Sequence, residues 1–138
     1  MRTLEGELER RAALETGAAL YARGEFFEAH EAWEELWLSL DGEPRLFVQG
    51  LIQVAAACHK AYAQAQPRGC VKLLETALEK LAPSPTDFMG VKTEMLLRAA
   101  REMLEEARRW RDGEAPPLLR RWVPPIEIAA RARGGEGQ

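Results

Sequence analysis

Apolar residues recur every three to four positions along most of the chain, and no period-two alternation lasts beyond a few residues. That pattern predicts helices and no sheet. A first helix is expected over about 4–22, with Leu4, Leu8, Ala12, Leu14, Ala18 and Tyr21 on one stripe. Gly24 ends it, because glycine takes the left-handed backbone at a helix C-terminus without a Cβ penalty. A second helix is expected over about 25–40, stopping at "LDGEP", where Gly42 and Pro44 punctuate. A third covers about 45–65 and ends before Pro67. A fourth covers about 68–81, with Cys70, Leu74, Ala77 and Leu81 inward. A fifth, about 92–111, carries Leu96, Met103, Leu104, Ala107 and Trp110 and ends at Gly113.

The connections are short, which favours antiparallel neighbours. The predicted fold is therefore all-α: one compact bundle of about five antiparallel helices spanning 1–138. Residues 114–138 form a Pro-rich tail. Leu118, Leu119, Trp122, Val123 and Ile126 are apolar enough to dock it on the bundle, and "RARGGEGQ" at the end is expected to fray.

Composition narrows the function class. With 46% hydrophobic and 30% charged residues, the chain is too apolar to be disordered. A net charge of −3 argues against nucleic acid as the main partner, because phosphate binding needs a basic surface. The basic run 108–133 is broken by Pro and Glu and reads as a solvated face. No apolar run approaches the length of a membrane span. The charged start "MRTLEGELERRAALE" lacks a signal-peptide core, so the expected location is the cytoplasm. Cys58 and Cys70 fit neither a disulfide framework nor a four-ligand zinc site, and read as buried reduced thiols. There is no Asn, and Arg outnumbers Lys fifteen to four, as a heat-adapted source or a GC-biased genome would give.

Candidate chemistry concentrates in "FFEAHEAWEELW", residues 26–37. "HEAWE" resembles the zincin motif, in which two His one turn apart grip Zn²⁺ and the Glu between them is the base. Here Glu34 replaces the second His. His30 and Glu34 still share a helix face and could hold a divalent metal at two points, but a third ligand must come from elsewhere. If the second and third helices form a hairpin about Gly42, counting places His30 near Gln53 and Glu34 near Gly50. His30, Glu34 and Gln53 are thus expected to converge, with Glu31 and Gln49 nearby. Gly50 and Ala57 belong to a small-residue stripe that lets the second helix come close. Phe27, Trp33 and Trp37 are assigned to the core. His59 is expected to face the turn near Gly24 and hydrogen-bond a helix end, and Lys60 to pair with Glu28 or Glu31.

The hairpin "LYARGEFFEAHEAWEEL" also looks like one tetratricopeptide unit, yet no second copy follows at the repeat length. "FFEAHEAWEELW", "RLFVQGLIQVAAACHKAY" and "RGCVKLLETALEKL" together resemble a domain-of-unknown-function family, DUF309, over about residues 17–110. The resemblance implies a small all-helical domain. Its family-like positions are Phe27, His30, Glu31, Glu34, Trp37, Gln49, Gly50 and Gln53; Cys70 stands where a small residue is expected. No activity, cofactor or partner comes with it.

The favoured reading is a non-enzymatic module that binds a protein partner or assembles with itself, its polar cluster setting helix register. Against it stands a metal-dependent or acid–base enzyme. There His30 and Glu34 are ligands or a proton-transfer pair, Glu31 is the base, and Gln53 orients substrate. A tetratricopeptide-like peptide binder is the third reading.

Overall fold

The computed structural model describes residues 6–129. Leu4 and the terminal "RARGGEGQ" therefore lie outside the described residues. Five α-helices account for most of what is described: α1 (Glu7–Ala22), α2 (Phe26–Trp37), α3 (Gly42–Tyr62), α4 (Pro67–Leu81) and α5 (Thr93–Arg111). Two single-turn 3₁₀ segments, Phe88–Gly90 and Arg120–Trp122, lie in the connections. The fold is all-α, as the periodicity predicts, and no described helix is long and apolar enough to cross a membrane.

Local chemistry explains the boundaries. Gly24 ends the first hairpin turn with φ +81°, a value only glycine adopts cheaply. Pro44 falls in the first turn of α3, and Pro67 opens α4, where a missing N–H costs nothing. α5 has Glu94 in its first turn and Arg108, Arg109 and Arg111 in its last, so charge complements the helix dipole at both ends.

Each helix packs against the next in sequence. The α3–α4 pair is antiparallel, since Gly50 lies against Ala77 and Leu81 while Gly69 lies against Lys60. This corrects one expectation. Gly50 opens space for α4, not for the tryptophans of α2, and Ala57 is fully buried. The glycine that receives a tryptophan is Gly17 of α1, which lies under the Trp33 ring. Trp33 is wholly buried, and its Nε1 donates to the Leu14 carbonyl at 3.1 Å.

Residues 118–129 form a strap across the bundle. Leu118 and Ile126 are buried, and Trp122, Val123 and Ile128 pack partly against the core. Leu119 departs from expectation: its side chain is exposed, and it is its carbonyl that accepts a bond from the Tyr62 hydroxyl at 2.8 Å. The buried Tyr21 hydroxyl donates to the Pro124 carbonyl at 2.6 Å. The strap then pairs with the α4–α5 connection through Lys92 N–H to the Glu127 carbonyl, 2.9 Å, and Ala129 N–H to the Gly90 carbonyl, 2.7 Å. Arg11 of α1 closes it by donating to the Ala129 carbonyl at 2.8 Å.

Candidate functional site

The helical period of α2 sends Phe26, Ala29, Trp33 and Leu36 into the core. It leaves His30 at the boundary, and Phe27, Glu31 and Glu34 outside. Phe27 is thus no core residue: it is 49% exposed, because it sits one position round from the buried Phe26. Trp37 is half-buried with the Arg45 guanidinium 3.8 Å above its ring.

The half-buried positions of α3 include Gln49, Gln53, Ala56, His59 and Lys60, and of these Ala56, His59 and Lys60 face α2. A cleft of about 130 Å³ opens between the helices, lined by Phe26, Phe27, His30, Ala56, His59 and Lys60. Such a volume holds a few waters or one inserted side chain. Phe27 stacks on His30 with ring centres 5.9 Å apart, and its centre is 5.6 Å from that of His59. His59 therefore shares the His30 cleft as well as the surface at Gly24, where it had been expected alone. The Gln64 side-chain amide lies 3.4 Å from its Nε2. Lys60 pairs with neither Glu28 nor Glu31: its stem runs over Gly69 and its ammonium donates to Gln66 Oε1 at 3.3 Å.

The structure brings His30 and Glu34 together, Nε2 to Oε2 at 3.5 Å, with the His30 side chain 26% exposed. His30 Nδ1, Gln53 Oε1 and Trp37 Nε1 are buried without a hydrogen-bond partner in the protein. Each such atom costs about 1–3 kcal/mol. Of the three, only His30 lines the α2–α3 cleft. Glu31 is exposed and Gln49 half-buried. Among the described residues no group of three or more His, Cys, Asp or Glu side chains is arranged to hold a metal ion, so His30 and Glu34 gain no third ligand there.

The cysteines offer no nucleophile. Burial pushes the Cys58 thiol from the ordinary 9.0 to about 12 and does the same to Cys70. A protonated thiol is inert at neutral pH. Burial also raises the Tyr21 hydroxyl, whose oxygen lies 3.7 Å from Cys58 Sγ, well above its usual range.

Residues 14–73 match the model of a family described as "Domain of unknown function (DUF309)". The chain resembles DUF309. The matched span holds all of α2 and α3, with His30, Glu34, Gln53 and His59, while α5 and the strap lie beyond it. An uncharacterized protein of Aquifex aeolicus (strain VF5) is 32% identical over 98 residues, which is 70% of this chain and 28% of that protein. The chain thus spans just over a quarter of that relative's length.

Sequence reasoning missed two members of this DUF309-like region. His59 is expected only at the Gly24 turn, yet it also lines the His30 cleft. Gly17 carried a usable signal: an isolated glycine inside a helix costs about 1 kcal/mol relative to alanine, and that cost points to close packing.

Proposed function

We propose that the chain is a non-enzymatic helical module that docks on a protein, either a partner or a second copy of itself, through the α2–α3 face at Phe27. One observation carries the reading: a half-exposed phenylalanine stands beside two histidines at the mouth of an apolar cleft. A rigid aromatic anchor with a pocket next to it is the usual energetic centre of an interface. The exposed carboxylates of Glu28, Glu31 and Glu34 would form its polar rim. The reading puts the chain in the cytoplasm, in keeping with two buried, unpaired cysteines.

Light scattering across a concentration series, with Phe27→Ser alongside the wild type, tests this. The substitution is expected to leave the melting midpoint nearly unchanged, since exposed positions contribute within about 0.5 kcal/mol. It is expected to abolish either the rise in mass with concentration or the capture of a protein the wild type retains. A wild type that stays monomeric and retains nothing removable by Phe27→Ser overturns the proposal.

A second reading rests on a different observation, the unsaturated His30. Its Nδ1 is buried without a partner, its Nε2 lies 3.5 Å from the exposed Glu34, and its side chain keeps 26% exposure. The pair could transfer a proton or ligate a divalent metal, with Glu31 as base and Gln53 orienting a substrate. Metal binding to the native state raises the melting midpoint with free metal concentration. A rise with Zn²⁺, Mn²⁺ or Fe²⁺ that His30→Ala and Glu34→Ala both abolish is the expected result on this reading. An unresponsive midpoint rejects metal ligation here.

A further inference from the structure

A second concavity lies at the opposite end of α2 from Phe27. It is a groove of about 560 Å³ where the start of α1 meets the α2–α3 turn and the 3₁₀ segment. Leu8, Leu14, Leu40, Pro44 and Met89 supply its apolar surface. Leu8 is 69% exposed, although it belongs to the apolar stripe of its helix. Charge enters through Glu7, Arg10 and Arg11. Arg11 is already engaged, donating to Glu15 and to the Ala129 carbonyl. Arg10 differs, since its Nε is buried without a hydrogen-bond acceptor. A guanidinium donor withdrawn from water without an acceptor is costly, and an anionic oxygen is the group that best satisfies it.

We propose that this groove binds a single-chain amphiphile with one carboxylate head, the alkyl chain lying against Leu8, Leu14, Leu40 and Met89 and the head accepting from Arg10. The volume suits a small-molecule site, and such sites combine an apolar lining with few polar anchors. With Arg11 already committed, Arg10, whose Nε lacks an acceptor, is the one guanidinium left to meet a head group, which selects a single negative charge. Glu7 at the rim opposes a polyanion. This site shares none of its lining with the Phe27 cleft and is independent of the reading given above.

Calorimetric titration of the full chain with decanoate, kept below its micellar concentration, tests the proposal. Saturable binding is expected, and shortening the ligand to octanoate should weaken it roughly fifteenfold, since each buried methylene is worth about fourfold. Decyltrimethylammonium, with the same chain and the opposite head, should bind at least about tenfold more weakly, the loss expected when a charge-assisted hydrogen bond is forfeited. Arg10→Gln and the exposed-site Leu8→Glu should each weaken decanoate by a similar factor while keeping wild-type melting midpoints. Absence of saturable decanoate binding overturns the proposal. So does equal binding of the cationic amphiphile, or normal binding by both folded variants.

Discussion

Gly17→Ala is expected to lower the stability of the bundle by about 3 kcal/mol, the sum of an overpacking penalty and a lost buried hydrogen bond less a helix-propensity gain. A Cβ at position 17 would overlap Nε1, Cδ1 and Cε2 of Trp33, a fully buried indole with no room to retreat. Pushing the ring away also stretches the bond from Nε1 to the Leu14 carbonyl and strands a buried donor. Propensity alone predicts the opposite sign, because alanine is favoured over glycine inside a helix by about 1 kcal/mol. Urea melts of Gly17→Ala decide between the two effects. A variant as stable as the wild type would show that α1 and α2 do not meet as described. Combining Gly17→Ala with Trp33→Phe should recover part of the loss, since residues in contact are not additive.

Ile126→Ala is the second large effect, expected to cost roughly 2–5 kcal/mol as a buried large-to-small substitution. Ile126 is 6% exposed and anchors the strap two residues beyond Pro124, whose carbonyl accepts from Tyr21. Tyr21→Phe removes that bond and should cost about 1–3 kcal/mol by itself, because it leaves a buried carbonyl unpaired. The double variant should cost less than the sum, as both changes release the same segment. Leu119→Ala is the control. Its side chain is exposed and only its main-chain oxygen is used, so its melting curve should overlay the wild type. Stability unmoved by Ile126→Ala would mean that the strap is not docked in solution.

Helix number and most helix limits were legible because period and punctuation are local properties. Gly24, Pro67 and Gly113 each break the backbone wherever the rest of the chain goes. The partner of each helix face was less legible. A stripe of small residues such as Gly50 and Ala57 says that something approaches closely, but α2 and α4 both flank α3, and the stripe does not choose between them. Counting about Gly42 sets His30 opposite Gln53, whereas the α3 residues that line its cleft are Ala56, His59 and Lys60, because arm counting fixes a hairpin's register only to within about a turn. Phe27 was misassigned for a related reason: of two adjacent phenylalanines only one can face inward, and periodicity hardly separates neighbours 100° apart. The strap's bonds were invisible because Tyr21 and Tyr62 engage main-chain carbonyls, which leave no trace in side-chain patterning.

The contact between Arg11 and Ala129 joins positions 118 residues apart, whereas the helix hairpins join near neighbours in sequence. Local contacts form early on the way to the native state, and those that close long loops carry their entropic cost first. The strap should therefore seal after the hairpins have assembled. Interactions absent from the rate-limiting barrier influence the unfolding rate and leave the folding rate nearly untouched. The strap then serves as a latch on an already folded bundle, setting how long each molecule stays closed and not how quickly it gets there.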